Sequence, residues 1–448
     1  MKKVITYGTF DLLHQGHINL LRNAKALGDY LIVGVTSENY DRYRGKLNVQ
    51  QSVLERIEGV RATGLADEIV VEEYEGQKID DIVRRGVDIF AIGSDWVGRF
   101  DYLNEFCKVT YLERTKGISS TQLRDQKHPV IQFGIVGCGR IANRFLIESK
   151  FVSGANVEGV FNVREASAKA FCEKHELSFY ATDYDEFLSR VNAVYIASPH
   201  DTHYDYAMRA MKAGKHVLCE KPMVFTKAQA EQLFETAREN RVILMEAFKT
   251  AYCPGFQRLV SCAKSGKIGR IISVDAAFTK LVPTNCREMN NDGVGGSVAE
   301  LASYPLLAIF KLLGYDYKDV HFTSFRGEEG GVDLFTRMEF TYPYATATAK
   351  VGLGVKSEGS LVISGTRGYA YVPAPWWKTD YFELRYENTA DTEKDFYKFS
   401  GDGLRYEIVE FLNLITQGEM NEPACQLSEQ IAAALELYRD GSKTTTIL

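Results

Sequence analysis

A glycine-rich turn, GCGRIA at residues 137–142, directly follows the apolar stretch IQFGIV and precedes a segment with helical periodicity. Gly137, Gly139 and Ala142 fill the small-residue positions of a GxGxxG/A pattern in the strand–turn–helix setting that this pattern requires. Because a helix that begins at such a turn attracts phosphate at its N-terminus, the pattern predicts a dinucleotide-binding parallel sheet that starts at Ile131. The residues before Ile131 are numerous enough for another domain.

The second strand of this predicted sheet ends near Phe161, about 20 residues after the turn, where an acidic side chain binds the ribose in NAD enzymes. The sequence has Asn162 and Arg164 there, which favours NADP over NAD. The predicted cofactor contacts of this half of the chain are Gly137, Gly139, Arg140, Ile141, Asn162, Arg164, Ser198, His200, His203 and Glu220. As an alternative, His200 and His203 belong to a surface turn.

A second phosphate-handling turn, GTFDLLHQGH at residues 8–17, lies near the N-terminus. The apolar run 4–7 predicts a strand, and a helix that begins near His14 places His14 and His17 on one face, beside free backbone amides. Two imidazoles there can donate to oxygens of an α-phosphate, and displacement at phosphorus needs charge stabilisation rather than a covalent nucleophile. The turn therefore predicts nucleotidyl transfer, with metal ligands or ordinary helix residues as alternatives.

This decapeptide resembles the HxGH signature of the cytidylyltransferases, and residues 1 to about 126 resemble the bacterial glycerol-3-phosphate cytidylyltransferase family. Further matches are Arg56 after a basic segment, IGSDWVGRFDYL at 92–103 and RTKGISSTQL at 114–123. The resemblance implies CTP as substrate with Mg2+. It implies catalytic roles for His14, His17, Lys46 and Arg114, and nucleotide contacts from Gly8, Thr9, Phe10, Asp11, Ser119, Ser120 and Thr121. It also implies that Arg56 contacts the acceptor phosphate, and that Asp95 and Trp96 recognise nucleotide or acceptor. For Lys46 the alternative is a solvated surface lysine.

The sequences NAVYIASPHDTHYDYA from Asn192 and AGKHVLCEKPM at 213–223 carry a second resemblance. Together with MEAF at 245–248, GKIGRI at 266–271 and GGSVAELASYPL at 295–306, they are similar to the glucose-fructose oxidoreductase and inositol dehydrogenase family over residues 129–448. This resemblance implies a dinucleotide domain that ends in the EKP motif, followed by an open sheet over the active site.

Hydride transfer to a carbonyl needs a matched proton transfer, and Lys221, Tyr304 and Glu300 are the catalytic candidates. An ammonium group near the carbonyl oxygen stabilises negative charge, and we expect it to lower the pKa of Tyr304. Glu300 and Tyr304 are four residues apart, which on one helix gives them a common face, with Pro305 as a point for a kink. Tyrosine resembles the dihydrodiol and xylose dehydrogenase branch, whereas Glu300 and Ala251 depart from the family pattern. The alternative for Tyr304 is a core residue.

Composition restricts the remaining possibilities. The 448 residues are 45% hydrophobic and 25% charged with a net charge of −6, which argues against a nucleic-acid partner. No apolar run is long enough to predict a membrane span, and eight scattered cysteines without a CxxC pair argue against disulfides or a zinc site. We expect a cytoplasmic homo-oligomer that acts on small molecules.

The predicted fold class is α/β, with a Rossmann-like nucleotidyltransferase domain at 1–128, a dinucleotide-binding Rossmann domain at 129–250 and an α+β open-sheet domain at 251–448. The aromatic segment 369–377 fits a sheet edge, a dimer face or a substrate wall. The predicted function is bifunctional CDP-polyol synthesis: NAD(P)H reduces a sugar phosphate, and CMP passes from CTP to the resulting polyol phosphate. The alternative is a cytidylyltransferase whose second part only oligomerises or senses NADP.

Overall fold

The computed structural model describes residues 1–43, 49, 51–74, 76–113, 130–290, 293–397 and 399–448. These residues form two compact units. The first contains residues 1–130 and the short segment Phe151–Gly154, and the second contains 131–150 and 155–448. The further division of the second unit at residue 250 stays a prediction.

The first unit is built on a five-stranded sheet in which every neighbouring pair is parallel. Its strands are β1 (Lys3–Gly8), β2 (Tyr30–Thr36), β3 (Glu68–Glu72), β4 (Ile89–Gly93) and β5 (Lys108–Leu112), in the order β3-β2-β1-β4-β5. Its helices are α1 (Gln15–Lys25), α2 (Glu38–Tyr43), α3 (Val53–Ala62) and α4 (Gln77–Arg85). The strand order changes direction beside β1, and ligands of such sheets bind at the carboxyl end of the strands at that point. The parallel α/β prediction for this unit is confirmed.

Apolar side chains alternate between the two faces of this sheet, so that both faces are covered. Val4 and Leu31 pack with Leu21 of α1 on one face. Ile5 and Phe90 pack with Ile82 of α4 on the other. This packing fixes the end of β1, and therefore the turn after Gly8, between two helical layers.

The second unit begins with a six-stranded sheet, again with only parallel pairs. Its strands are β6 (Ile131–Val136), β7 (Ala155–Phe161), β8 (Phe179–Ala181), β9 (Ala193–Ile196), β10 (His216–Glu220) and β11 (Leu244–Ala247), in the order β11-β10-β9-β6-β7-β8. The helices that alternate with them are α5 (Arg140–Ser149), α6 (Glu165–His175), α7 (Tyr184–Ser189), α8 (His203–Lys212) and α9 (Lys227–Glu239). The strand predicted to begin at Ile131 and the following glycine turn are confirmed.

A nine-stranded mixed sheet completes the second unit, in the order β19-β18-β17-β16-β12-β15-β14-β13-β20. Its strands are β12 (Ile271–Thr279), β13 (Asp319–Phe325), β14 (Phe335–Thr341), β15 (Thr346–Gly352), β16 (Leu361–Gly365), β17 (Gly368–Val372), β18 (Tyr381–Tyr386), β19 (Glu393–Phe396) and β20 (Thr444–Ile447). The helices of this part are α10 (Lys249–Tyr252), α11 (Pro254–Lys264), α12 (Ser297–Leu301), α13 (Ser303–Leu313), α14 (Leu404–Gln417) and α15 (Glu422–Asp440). This agrees with the predicted α+β open sheet.

The chain around Pro305 differs from its predicted form. We expected one helix with a kink at Pro305 to carry Glu300 and Tyr304, whereas α12 ends at Leu301 and α13 begins at Ser303, so the helix breaks before the proline. Pro305 has no N–H to donate to the previous turn, so it fits in the first turn of a new helix, where such donors are unused. Glu300 and Tyr304 thus come from two short consecutive helices.

Candidate active sites

His14 caps the helix α1 in the first unit. Its Nδ1 accepts from the backbone N–H of Gly16 at 3.0 Å and of His17 at 3.4 Å. Since Nδ1 of a neutral ring that accepts these bonds carries no proton, the proton lies on Nε2. The His14 and His17 rings stack with their centroids 3.8 Å apart, as the three-residue spacing predicted. The cap thus fixes the tautomer of His14 at the helix end that attracts phosphate.

The turn between β1 and α1 has an unusual backbone. Phe10 and Leu12 both have positive φ, at 54° and 47°, a region that bulky L-residues rarely adopt. Gln51 holds this turn at two points, because its backbone N–H donates to Asp11 Oδ1 at 3.0 Å and its Oε1 accepts from Leu12 N at 2.7 Å. Such backbone strain persists only where surrounding contacts enforce it, and it concentrates at functional sites.

Arg56 lies inside the first unit and is only 1% exposed. Its Nη1 donates to the carbonyl oxygens of Thr9 and Thr36, each at 2.8 Å, and lies 3.1 Å from Asp41 Oδ2. Its Nε donates to the carbonyl of Gln51 at 3.1 Å. Arg56 therefore joins Thr9, in the turn after β1, to the end of β2, to α2 and to Gln51, so the structure gives Arg56 a positioning role. A contact with the acceptor phosphate stays a prediction and depends on Nη2, which is buried without a hydrogen-bond partner among the described residues.

The other predicted residues of the first unit have different positions. Gly8 ends β1 beside the Phe10 ring, and Thr9 Oγ1 donates to Asp41 Oδ1 at 3.0 Å. Trp96 is half-buried in a short 3-10 turn after β4, and the guanidinium of Arg99 lies 5.1 Å from its ring centroid. Asp95 shares that turn. Lys46, Arg114, Ser119, Ser120 and Thr121 lie outside the described residues.

A cavity of about 970 Å³ at the carboxyl end of the six-stranded sheet is the candidate oxidoreductase site of the second unit. The sequence-predicted residues on its wall are Gly137, Gly139, Arg140, Ile141, Asn162, Arg164, Ser198, His200, His203, Glu220, Lys221, Glu300 and Tyr304. The structure therefore brings the GCGRIA turn, the EKP turn and the two short helices after β12 to one cavity. The first and last of these segments are more than 150 residues apart along the chain.

Gly137 and Gly139 fit a bound dinucleotide. Gly137 has a φ of 102°, and a Cβ at this position would lie 2.7 Å from the carbonyl oxygen of Ala197. A Cβ on Gly139 would meet no atom within 4 Å, so open space adjoins the N-terminus of α5, where a pyrophosphate binds in such folds. The residues present therefore fit NAD(P), which supplies a hydride when it is bound.

The wall next to this turn carries positive charge. Asn162 Oδ1 accepts from the backbone N–H of Arg164 at 2.9 Å, so the amide fixes the loop after β7 instead of supplying an acidic ribose ligand. The Arg164 side chain is exposed, and Arg140, with 70% of its side chain exposed, lies 3.4 Å from Glu288. These cations favour an additional phosphate on the cofactor.

Lys221 and Tyr304 lie next to each other on the cavity wall. The Lys221 ammonium donates to the carbonyl oxygen of Glu300 at 3.0 Å and lies 5.6 Å from the centroid of the Tyr304 ring. Burial raises the pKa of Tyr304 well above its usual value, and the negative charges of Glu220 and Glu407 raise it further. The expected lowering of this pKa by Lys221 is therefore wrong, because the lysine does not outweigh desolvation. A phenol in this state keeps its proton at neutral pH.

His200 and His203 occupy buried positions below the EKP turn. His203 is fully buried, with Nδ1 2.9 Å from the carbonyl oxygen of Pro222 and Nε2 3.0 Å from that of Ser198. The ring lies between two loops of the wall. Burial lowers its pKa to about 4, so the neutral ring donates its single N–H to one of these two oxygens. Burial also lowers the pKa of His200 to about 2, so its ring is neutral 3.8 Å from Glu300 Oε1. The surface-turn alternative does not hold for either residue.

The backbone and the side chain of Glu300 contact different residues. Its carbonyl oxygen accepts from Lys221, whereas its carboxylate lies 3.3 Å from Arg287 Nη2. Arg287 also lines the cavity, and it was not predicted from the sequence. Glutamate at position 300 is thus compatible with a fixed catalytic lysine.

Three further ionisable residues, Glu220, Lys249 and Glu407, line the same cavity. Glu220 accepts from the hydroxyl of Tyr195 at 2.5 Å, and Lys249 donates to the carbonyl oxygen of Asp402 at 2.8 Å. Glu407 is 1% exposed, and both its carboxyl oxygens are without hydrogen-bond partners among the described residues. Burial raises the pKa of both glutamates and lowers the pKa of Lys249. The sequence showed a departure at Ala251, yet Lys249 supplies a basic side chain two residues earlier.

The aromatic segment 369–377 contributes one ring to the site. Its strand β17 lies between β16 and β18, which excludes the sheet-edge alternative. Trp377 stacks on Phe278 with a centroid distance of 3.6 Å, and the Phe278 ring lies 4.9 Å from the Tyr304 ring. These three rings form one wall of the cavity, so Trp377 matches the substrate-wall alternative.

Neither metal clusters nor membrane helices are found in the part of the chain that the structure describes. No three His, Cys, Asp or Glu side chains converge there to hold a metal, and Mg2+ stays a prediction. Among the helices of this part, none is long and apolar enough to cross a bilayer. The eight cysteines are free thiols.

Comparisons with protein families match the two units separately. Residues 5–126 match the cytidylyltransferase-like family, and residues 131–248 match an oxidoreductase family with an NAD-binding Rossmann fold. Over 124 residues the chain is 48% identical to glycerol-3-phosphate cytidylyltransferase of Bacillus spizizenii, a match of 28% of this chain and 95% of that protein. Both resemblances noted in the sequence are confirmed.

The remaining similarities concern the second unit. Over 321 residues the chain is 26% identical to trans-1,2-dihydrobenzene-1,2-diol dehydrogenase of Bos taurus, which covers 69% of this chain and 96% of that protein. A solved structure of a 3-ketoreductase from Actinomadura kijaniata, in complex with NADP and TDP-benzene, is 25% identical with a TM-score of 0.64. That match covers 71% of this chain and 99% of the ketoreductase chain.

Proposed function

We propose that the protein synthesises a CDP-polyol in two steps, because the chain belongs to the cytidylyltransferase-like family in its first unit and carries an oxidoreductase domain with an NAD-binding Rossmann fold in its second. The second unit reduces a keto- or aldo-sugar phosphate to a polyol phosphate with NADPH. The first unit transfers CMP from CTP to that polyol phosphate and releases pyrophosphate. Such a CDP-polyol is a donor for polymers of the teichoic-acid or capsular type.

The position of Tyr304 beside the Lys221 ammonium in the cavity is the observation that carries the proposed reduction. The carbonyl carbon receives a hydride, and its oxygen must receive a proton in the same step. The Tyr304 phenol keeps its proton at neutral pH and lies beside the Lys221 ammonium. The phenol can therefore donate, and Lys221 stabilises negative charge on the oxygen as it forms. The presence of both groups also favours a catalytic second unit over one that only senses NADP.

In the first unit, the stacked histidines at the start of α1 support phosphoryl transfer. With its Nδ1 occupied by backbone amides, His14 presents a fixed Nε2–H donor, and His17 lies directly beside it. An α-phosphate bound at the helix N-terminus is thereby met by imidazole donors and backbone amides, which stabilise charge in the transition state. CTP and the acceptor phosphate need no covalent attachment to the protein.

The order of the two steps is tested with one variant in each unit. Sugar phosphate, NADPH and CTP are supplied to His17→Ala and to Lys221→Ala, and all products are separated by chromatography. We expect polyol phosphate to accumulate with His17→Ala and sugar phosphate to remain with Lys221→Ala. Lys221→Ala should still transfer CMP to added polyol phosphate, because Lys221 lines the cavity of the second unit, whereas the residues proposed for CMP transfer belong to the first.

A second order of reactions is favoured by one similarity, the 3-ketoreductase that was solved with NADP and TDP-benzene. In this alternative the second unit reduces a sugar after it has been linked to CDP. The same experiment distinguishes the two, because folded His17→Ala would then consume no NADPH. The cytoplasmic location and homo-oligomeric state are further parts of the proposal.

A further inference from the structure

Lys280 directly follows β12, the central strand of the nine-stranded sheet. Its backbone N–H donates to the carbonyl oxygen of Gly352 at 2.9 Å, which extends the pairing of β12 with β15 by one residue. Side chains two residues apart on a strand share a face, and their Cα atoms are about 7 Å apart. Lys280 therefore follows Phe278 on the face where the Phe278 ring touches Tyr304, and both residues line the cavity.

Lys280 differs from the other lysines on the cavity wall. Each of the others has a nearby oxygen acceptor for its ammonium: Asn143 for Lys174, Glu300 for Lys221, and Asp402 for Lys249 and Lys378. Lys280 is half-buried, and its ammonium has neither a hydrogen-bond acceptor nor an ion-pair partner among the described residues. A partly desolvated cation without an anion is unfavourable unless a ligand supplies the anion.

Glu300 and Glu288, the two acids whose charges act on Lys280, already have other partners. Glu300 lies 3.3 Å from Arg287, and Glu288 lies 3.4 Å from Arg140. Burial lowers the pKa of Lys280 even though both acids oppose this change. These acids thus reduce the positive potential at Lys280 without pairing with its ammonium.

We propose that Lys280 binds the phosphoryl group of the reductase substrate and so selects phosphorylated carbonyl compounds. This inference rests on the proposed function, which it deepens by naming the residue that recognises the phosphate. The strand fixes Lys280 two residues from Phe278, so the phosphate lies at a set distance from the carbon that Tyr304 and Lys221 serve. A phosphate monoester and the diphosphate of a CDP-linked sugar share this chemistry.

The test compares Lys280→Gln, Lys280→Arg and the wild-type full-length enzyme. Lys318→Gln is the matched control, because it removes one positive charge at an exposed position outside the cavity. For each protein, kcat/KM is measured with a panel of sugar phosphates, with the dephosphorylated sugars, with CDP-linked sugars and with varied NADPH. Separately, quenching of tryptophan fluorescence by inorganic phosphate reports binding without turnover, since Trp377 lies in the same wall.

We expect Lys280→Gln to lower kcat/KM for the phosphorylated substrate by about 10- to 100-fold, the usual effect of losing a hydrogen bond between charged groups. The value for the dephosphorylated sugar should change less than about twofold, and Lys280→Arg should restore most of the loss. Selective loss with the CDP-linked sugar would identify the diphosphate as the anion and supports the inference. Inorganic phosphate should bind more weakly to Lys280→Gln than to Lys318→Gln.

Two results would overturn the inference while the proposed function stands. One is an equal loss with phosphorylated and dephosphorylated sugars, and the other is a rise in the KM for NADPH alone. If the wild type reduces no phosphorylated or CDP-linked sugar, the proposed function fails. The fluorescence titration then decides on Lys280 alone, because equal phosphate affinity in the wild type and Lys280→Gln refutes an anion site.

Discussion

The ammonium of Lys221 donates to the backbone carbonyl oxygen of Glu300 at 3.0 Å, although the two residues are 79 positions apart in the chain. This bond joins the turn after β10 to the short helix α12, so it positions the lysine against Tyr304. One of the three ammonium hydrogens is used in this way, and the others can face the substrate oxygen. The bond explains how a long, flexible side chain is held in one place before the substrate binds.

We expect Tyr304→Phe to lower kcat for NADPH-dependent reduction by about 100- to 10,000-fold, the range for loss of a general acid. The ring contact with Phe278 should remain, because it depends on the ring and not on the hydroxyl. CMP transfer to a supplied polyol phosphate should be unchanged. Both rates are measured on the same preparation.

Tyr342→Phe is the matched control for this substitution. The Tyr342 hydroxyl is also largely buried and donates to the carbonyl oxygen of Gly314 at 2.9 Å, but it does not line the cavity. Its loss should reduce stability without a selective effect on reduction. If Tyr304→Phe and Tyr342→Phe reduce at similar rates, Tyr304 is not the proton donor.

A comparison of His14→Asn with His14→Ala separates the two roles of His14. Asparagine is a good N-cap residue, so it should retain the acceptor for Gly16 N–H while it removes the imidazole Nε2–H donor. Alanine removes both, at a cost of about 1 kcal/mol in stability. We expect CMP transfer to fall by about 100-fold or more in both variants, and only His14→Ala to melt at a lower temperature. Near-normal CMP transfer by His14→Asn would reduce His14 to a structural cap.

The sequence predicted those parts of the site that depend on local patterns. The glycines at 137 and 139, the spacing of His14 and His17, and the strands before both turns follow from nearest-neighbour geometry along the chain. Lys221 of the EKP motif and Tyr304 were identified as catalytic candidates with the help of the resemblance to the glucose-fructose oxidoreductase and inositol dehydrogenase family. Each of these features needs only a short stretch of sequence to be recognised.

The rest of the site depends on contacts between distant segments. Glu407 lies on the apolar face of α14 together with Leu404, Ile408 and Phe411, and no local sequence pattern marks a single acid on such a face as part of a site. Its effect on Tyr304 arises only after folding brings α14 beside the cavity. The sign of the Tyr304 pKa change was also inaccessible, because sequence names neighbouring charges but does not give the depth of burial.

Arg56 should prove essential for the stability of the first unit. We expect Arg56→Ala to lower its free energy of unfolding by about 3–5 kcal/mol, because Asp41 and two backbone carbonyls would lose their buried partner. Arg56→Lys should recover little of this loss, since one ammonium cannot reach all the oxygens to which Nη1 and Nε of Arg56 donate. Chemical denaturation followed by circular dichroism measures the change.

Arg61→Ala provides the control on the same helix. Arg61 pairs with Glu58 at the surface, with 61% of its side chain exposed, so its removal should cost less than about 1 kcal/mol. If Arg56→Ala is as stable as Arg61→Ala yet has a raised KM for the acceptor phosphate, Arg56 contacts the acceptor directly. The positioning role would then be refuted.

Arg164 should determine the choice of cofactor. Its exposed guanidinium lies at the end of β7, where the additional phosphate of NADP is bound in such folds. We expect Arg164→Gln to raise the KM for NADPH by about tenfold and to leave the KM for NADH nearly unchanged. Lys169→Gln, an exposed substitution on α6 outside the cavity, should change neither value. A wild type that already binds NADH more tightly than NADPH would contradict the assignment.

Glu246 should make the stability of the second unit depend on pH. Burial raises its pKa to about 7, against 4.5 for an exposed glutamate, and its Oε1 accepts from Met223 N at 2.8 Å. Below about pH 4.5 the carboxyl is protonated in both the folded and the unfolded state, so its contribution is favourable and constant. As pH rises toward 7, the unfolded chain releases this proton before the folded chain does, and stability falls by about 3 kcal/mol in total.

Glu246→Gln should remove this dependence, because the amide stays neutral and can still accept from Met223. The variant should therefore be more stable than the wild type at pH 8 and similar to it at pH 4.5. Urea denaturation across this range measures the difference, with Glu239→Gln on the exposed side of α9 as control. Glu220 and Glu407 also have raised pKa values, but they are unchanged in all three proteins and contribute equally. If the difference between Glu246→Gln and the wild type is the same at every pH, Glu246 is not protonated in the folded protein at neutral pH.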